Sequence, residues 1–536
     1  MKRYLTLILL ATVIFCCARP VPAQVVNFAP PPTVKKYPFY PQGGNFFGDL
    51  FPTNFVDVNP TSGILAYNNS NYTYNGHMGI DTAITGFTAQ AIGVPIFAAL
   101  DGTVIETHDG EFDMNTSFGS PNQVSNFVKI DHGNGQTTMY DHMRKGSVAV
   151  VMGQQVTAGQ QIGLTASSGY STAPHLHLQS EVNGMVFEPF SGPARPGISG
   201  WVSQPPFRTD IYIEQFVITD QDLSTFAGPP FDTTRKGSFI TGVRTFNTWF
   251  QFANGEGIKN ITVSILRPNG TIDFTTTSPI SGFPRNGYVT YNFNQNLDVV
   301  GTWKIQVKVN GTVIAAAPFM VLAAGSKIVN HAPAAIEAVF DPAQPNFVTA
   351  TFCRITSPTL FLDPDYDFVR YHYVWTVNGA VVRNVMSAGK ADAIPNNLGH
   401  PGDVLTCVVT PSDGTANGPA TTVTTAVASP QILLNISTRL NVLTGENVLI
   451  GGFIITGNDP KKVIVRALGP SLTNQGVSGV LANPVLELHK PDGSVITNDN
   501  WKSPRKPRSL LALFLPLITS NPPSSPRSPQ GVTLRS

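Results

Sequence analysis

Along most of this chain apolar and polar residues alternate one by one, the period of a strand with one buried face. In residues 302–309, Ile305, Val307 and Val309 fall on one side and Lys304 and Lys308 on the other. Runs of this kind are separated by turn residues such as Pro268-Asn-Gly270, Asn286-Gly287 and Asn310-Gly311, which favour tight reversals between strands. The pattern predicts an all-β, multidomain protein. Residues 198–325 read as a β-sandwich and 326–430 as a second one. Strands at 448–455, 463–468 and 485–489 give a C-terminal β-rich module over 431–501.

Two stretches depart from the pattern. Residues 24–45 contain Pro30-Pro31-Pro32 and read as an extended Pro-rich linker. After Trp501 the sequence turns to Lys502-Ser-Pro-Arg-Lys-Pro-Arg, a short apolar run and then Pro and Ser. Residues 502–536 therefore read as an unfolded or frame-shifted tail without strands. Between them, residues 46–197 form a segment whose polar positions carry an unusual share of histidine.

Composition narrows the picture. Of 536 residues 48 are Gly and 44 Pro, and only 12% are charged, which favours turns and short strands over long helices. A net charge of +1 provides no global field for nucleic acid or an anionic membrane. Residues 1–23 combine Lys2-Arg3, an apolar run over 5–15 and Val21-Pro-Ala23, the layout of a cleavable secretory signal. The run is too short to span a bilayer, and bulky Phe15 before Cys16 argues against lipidation. The expected location is secreted or cell-envelope associated. Cleavage would leave only Cys353 and Cys407 of the four cysteines, an even number in an oxidising setting.

Six of the ten histidines, His77, His108, His132, His142, His175 and His177, lie within residues 77–177. On a strand His175 and His177 share one face while Leu176 and Leu178 take the other. A catalytic zinc site has three protein ligands drawn from His and carboxylates, with a fourth position left to water. His77, Asp81 and one histidine of the 175/177 pair would fill that set. Asn75-Gly76 and Gly79 argue against a helix across His77 and Asp81, so a turn running into a strand is expected.

The series His77-Met-Gly-Ile-Asp81, Ala98-Ala-Leu-Asp-Gly-Thr-Val104, Ile130-Asp-His-Gly-Asn-Gly135, Tyr140-Asp-His-Met143, Gly153-Gln-Gln-Val-Thr-Ala-Gly-Gln160 and Ser171-Thr-Ala-Pro-His-Leu-His177 resembles the lysostaphin-type (LytM-like) zinc endopeptidases. The resemblance covers about residues 46–195. It implies an antiparallel sheet of the duplicated hybrid motif type, zinc as cofactor, His77, Asp81 and His177 as its ligands, and His142 and His175 as catalytic groups facing substrate and water. Ala173, Leu178 and Gln179 stand where that family usually has Gly, Phe and Glu. Gln179 shares a face with His177 and is expected to support it. His108 and His132 are read as structural. Residues 111–125 look like an extra polar loop, equally compatible with shaping specificity and with decoration.

In the second sandwich the order Cys353, Trp375, Cys407 resembles immunoglobulin-like domains. A bridge between the two cysteines would close a loop of about 54 residues, worth about 2 to 4 kcal/mol. Asp363, Asp365 and Asp367 lack the Gly turn and bidentate Glu of a calcium loop, and are expected to be solvated. Two function classes follow. One is an exported zinc endopeptidase cutting peptidoglycan stem peptides or cross-bridges, its β-domains binding wall glycan or protein. The other is an inactive wall-binding or regulatory protein on a peptidase-like fold. The filled ligand set favours the enzyme, and neither nucleic acid nor a membrane span is expected.

Overall fold

The alternation seen in the sequence becomes strands in nearly every place it occurs. The structure, a computed structural model, describes residues 30, 34–118, 124–223, 233–283, 285–358 and 360–428 and, further on, 448–453, 464–489, 494–498, 510–514 and 530–535. The expected signal segment lies outside the described residues. Residues 1–430 form one compact unit and residues 431–536 a second.

The histidine-rich segment builds strands β1 (Phe51–Asn54), β2 (Ile80–Ala83), β3 (Pro95–Phe97), β4 (Gly102–His108), β5 (Phe127–Asp131), β6 (Gln136–Asp141), β7 (Gln155–Val156), β8 (Gln161–Leu164), β9 (His175–Val182) and β10 (Met185–Val186), with one short helix, Phe87–Ile92. The main sheet runs β1-β2-β9-β6-β5-β4-β7, with β10 on β9, while β3 and β8 pair separately. Every pairing in the main sheet is antiparallel. The β9–β10 hairpin turns through Asn183 and Gly184 at φ 51° and 75°, the backbone a two-residue hairpin needs.

Period-2 burial explains how this sheet has a wet face and a dry one. Along β9, Leu176, Leu178, Ser180 and Val182 are buried, while His175, His177, Gln179 and Glu181 point the other way. Tyr140, Val128 and Ile130 join the buried side, in a core that also takes Phe55, Phe187, Phe190 and Trp201. Tyr37 and Tyr40 belong to this core too, and Tyr37 bridges Trp201. The Pro-rich linker expected over 24–45 therefore does not hold for residues 37–42. Three aromatic side chains among four residues bury enough apolar area to outweigh the cost of ordering the backbone. Trp201 likewise sits in this core, so the sandwich begins later than residue 198, at the strand Tyr212–Thr219.

That sandwich sets a three-stranded sheet against a five-stranded one around Trp303, Phe246, Phe250 and Ile305. The next sets three strands against four around Trp375, Tyr373 and Leu405. Cys353 and Cys407 lie in this core as free thiols, the Cys407 thiol hydrogen-bonded to Cys353 and pushed up by burial. The expected bridge is not formed: the two fit the apolar interior as small side chains. The aspartate loop also differs from expectation. Asp363 is buried, and its Oδ1 accepts the backbone N–H groups of Asp365 and Asp367 at 2.8 and 3.1 Å. The short carboxylate closes its own turn, and burial pushes it up to about 6.

This second sandwich packs directly on the peptidase-like sheet. Phe39 and Phe97 meet Phe352, and Asp49 Oδ2 accepts the Lys390 N–H at 2.6 Å.

In the C-terminal unit the strand Gln530–Arg535 pairs with both Leu449–Phe453 and Val485–His489, and Leu510–Phe514 pairs with Ile464–Leu468. The expectation of no strand beyond Trp501 fails over those two segments, because the apolar run Leu510-Leu-Ala-Leu-Phe514 supplies a partner for an otherwise open edge. No helix among the described residues is long and apolar enough to cross a membrane.

Candidate metal centre

Strand register assembles the site. β2 and β9 place Asp81 opposite His177 and Ala83 opposite His175, and β6 places Asp141 opposite His177 on the other side. His77 comes from the turn before β2, as the sequence anticipates, and His142 from the first residue after β6. The HxxxD spacing thus spans a turn and a strand start, with no helix.

His77, Asp81 and His177 each offer one ligand atom within 4.8 Å of the others. His77 Nε2 lies 3.1 Å from Asp81 Oδ2 and 3.3 Å from His177 Nδ1, and His177 Nδ1 lies 2.8 Å from Asp81 Oδ1. These edges suit a tetrahedral zinc, whose ~2.0 to 2.1 Å bonds put neighbouring ligand atoms ~3.3 Å apart. His77 Nδ1 lies 2.7 Å from the Phe55 carbonyl, which turns Nε2 toward a carboxylate and a second imidazole. A carboxylate and two imidazoles converging in a buried pocket form a donor set that suits a cation between them. Gly79 makes room for this: a Cβ there would stand 2.6 Å from the His177 ring.

Burial alone would raise the Asp81 carboxyl, yet the imidazoles of His77, His175 and His177 hold it well below the usual carboxylate range. Burial pulls the His177 imidazole down, but its hydrogen bond to Asp81 raises it overall, with Gln179 also bonded to it. The sequence expectation for Gln179 is met in position. His175 is lowered to about 4, by burial first and then by His142.

His142 and His175 lie beside this triangle with ring centroids 4.5 Å apart, and His142 is 6.0 Å from His177. Each is held through Nδ1, His142 on the Ser168 carbonyl and His175 on the Ala173 carbonyl, both at 2.8 Å. That leaves Nε2 of each ring free for chemistry, with His175 Nε2 3.8 Å from Asp81 Oδ1. His142 has φ 60°, an uncommon backbone state for a residue with a side chain and a frequent one at functional sites. The other two histidines stay outside. His132 donates and accepts between the Asp101 carbonyl and Thr138, and burial lowers it to about 4. His108 pairs with Glu111 nearer the surface.

Sequence reasoning missed Asn54, whose Nδ2–H donates to Asp81 Oδ2 at 3.0 Å, and Asp57, whose Oδ2 accepts the Gly76 N–H and fixes the turn before His77. Both lie shortly before His77 in the sequence, and their polar type beside Phe55, Val56 and Val58 was the available signal.

Residues 75–189 match the model of peptidase family M23. That segment is an M23 peptidase domain. Peptidoglycan DD-endopeptidase ShyA of Vibrio cholerae is 36% identical over 96 residues, 18% of this chain and 19% of that protein. Glycyl-glycine endopeptidase ALE-1 of Staphylococcus capitis is 34% identical over 107 residues, 20% of this chain and 25% of that one. DD-carboxypeptidase/endopeptidase Mpg of Neisseria gonorrhoeae is 33% identical over 120 residues, 22% and 23% of the two chains. The chain thus spans about a fifth to a quarter of the length of the curated relatives it matches. Among solved structures, the catalytic domain of lysostaphin from Staphylococcus simulans aligns at 25% identity over 28% of this chain and 89% of that one, with a TM-score of 0.17.

Proposed function

We propose that this chain is an exported zinc metalloendopeptidase that hydrolyses peptide bonds in the stem peptides or cross-bridges of peptidoglycan. The observation that carries the reading is the buried triangle of His77 Nε2, Asp81 and His177 Nδ1 with two further anchored imidazoles beside it. A structural histidine cluster has no use for His142 and His175 held by their Nδ1 atoms with both Nε2 atoms left over. The M23 match and the names of the relatives support a peptidase and a wall peptide as its substrate.

His77, Asp81 and His177 would hold the metal, which supplies Lewis-acid polarisation and a water acidic enough to ionise near neutral pH. The chain's own residues do the rest. Asn54 and Phe55 orient Asp81 and His77, so the ligand atoms are set before metal arrives. One of His142 and His175 takes the proton of the attacking water at Nε2, and the other, carrying a proton on both ring nitrogens, steadies the oxyanion of the tetrahedral adduct by donating to it from Nε2. No covalent intermediate on the protein is required. The β-domains serve as binding or spacing modules for wall glycan or protein, the second sandwich resembling the immunoglobulin-like architecture.

Zinc-loaded full-length protein should release new amino termini from purified cell walls, read by mass spectrometry of the digest, and lose this activity with chelator. Tight wall binding without any new terminus would replace the enzyme by the inactive binding protein.

A further inference from the structure

The turn that carries His77 belongs to no strand: residues 71–79 run as an irregular segment into β2. Part of its support comes from outside the peptidase sheet. The Tyr72 ring is buried, and the first sandwich grips it in two ways. Its hydroxyl donates to Asn254 Oδ1, and the Arg285 guanidinium lies over its face, 4.0 Å from the ring centre, where the ring's negative face attracts the cation. Arg285 also donates to the Asn71 carbonyl at 2.8 Å, and Asn71 Nδ2 donates to Glu256 at 3.0 Å. Asn254 is itself fixed. It stands at φ 58° just after the strand Gly242–Ala253, and its Nδ2 donates to the Arg208 and Asp210 carbonyls at 3.0 and 2.9 Å.

The grip reaches the metal triangle through one residue, Phe55. The Tyr72 carbonyl accepts the Phe55 N–H at 2.7 Å. The Phe55 carbonyl in turn accepts the Thr73 hydroxyl at 2.8 Å and lies 2.7 Å from His77 Nδ1. A displacement of Tyr72 therefore moves the group that aims the His77 imidazole. A second line runs along β1. Phe51 packs with Tyr212 and Ala253 of the sandwich, and Ala83 of β2 lies against them. Three residues beyond Phe51, Asn54 holds Asp81 Oδ2. Both groups that orient the ligands thus rest on the first sandwich. Domains joined only as spacers move relative to one another by default, and contacts of this kind on a ligand-bearing turn remove that freedom.

We propose that Tyr72, Asn254 and Arg285 are positioning residues for the metal centre, and that the first sandwich sets the aim of His77. This goes beyond a binding or spacing role for that domain. It rests on the metal-centre reading above, and its test reads zinc affinity apart from cleavage.

The test uses full-length protein, stripped with chelator and titrated with buffered zinc. Tyr72→Phe keeps the ring beneath Arg285 and loses only the bond to Asn254. Arg285→Ala removes the stacked cation and the bond to Asn71. Each should weaken zinc binding by about 10-fold, the lower end of the ~10- to 100-fold cost of losing a group that orients a ligand. Trp303→Phe is the control. Trp303 lies in the core of the same sandwich and donates to the Val299 carbonyl, beyond the opposite end of the strand Gly287–Leu297 from Arg285. Its replacement should lower the unfolding temperature of the metal-free protein and leave zinc affinity unchanged. A loss of less than about threefold in both Tyr72→Phe and Arg285→Ala would overturn the proposal and leave the metal centre standing. An equal loss in Trp303→Phe would do the same, since it would mark a general loosening of the sandwich. If Arg285→Ala fails to fold, Tyr72→Phe decides the question. Wild type that takes up no zinc would sink the metal-centre reading itself, and the proposal with it.

Discussion

Replacing His77 with Ala tests the metal centre most directly, because it removes one ligand atom and leaves the other two held. Asp81 keeps His177 at 2.8 Å and Asn54 at 3.0 Å. A four-ligand structural zinc site is worth about 10 to 16 kcal/mol, so one ligand accounts for ~3 to 4 kcal/mol, or about 10² to 10³ in affinity. The linked stability change follows. At free zinc 1,000 times Kd the folded state gains ~4 kcal/mol. In the variant the same zinc stands near 1 to 10 times Kd, and the gain falls below about 1.5 kcal/mol. The assay is thermal unfolding of chelator-stripped full-length protein against buffered zinc, alongside direct metal analysis. His132→Ala is the control: it also removes a buried imidazole, so it should lower the metal-free unfolding temperature yet keep the full zinc-dependent rise. A His77→Ala protein that binds one zinc as tightly as wild type would remove the triangle as the metal centre, along with the roles given to Asp81 and His177.

Replacing either His142 or His175 with Ala should leave one zinc bound and slow peptide cleavage by about 100-fold or more, the scale for losing a general base or an oxyanion donor, as read by steady-state rates beside metal analysis. Glu188 is fully buried and raised to about 8 by that burial, against the pull of two backbone N–H groups and Arg195. The folded chain therefore keeps a proton that the unfolded chain releases from about pH 4.5 upward, and stability falls as pH rises toward 8. Glu188→Gln should remove this loss, on the order of 4 kcal/mol by pH 8; parallel stability curves for variant and wild type between pH 5 and 8 would refute it. Asp392 is fully buried beneath Trp375 Nε1–H and a two-pronged Arg383 bond, each contact at 2.7 to 2.8 Å. Asp392→Ala should destabilise the second sandwich by ~3 to 5 kcal/mol through the charge left unpaired, measured by denaturant unfolding.

How far the site could be read from sequence depends on the range over which each signal acts. Alternation is local, and it placed His175 and His177 on one face and Leu176 and Leu178 on the other, as found. Composition is coarser and misled twice. Proline count concealed the burial of Tyr37, Phe39 and Tyr40, and the polar average of residues 111–125 concealed a single ring, Phe118, that stacks on Tyr170. The ligand triangle joins residues 96 and 100 positions apart, a register that no periodicity encodes and that only the motif resemblance supplied. The groups that aim the imidazoles are harder still. His77, His142 and His175 are held by the carbonyls of Phe55, Ser168 and Ala173, and a backbone carbonyl is the same whichever side chain it carries. Substitution at those three positions can therefore leave the aiming bonds intact, provided the strand and loop paths do not move. Such orientation is visible only once the path of the chain is known, which is why the three converging residues could be named from sequence and their supports could not.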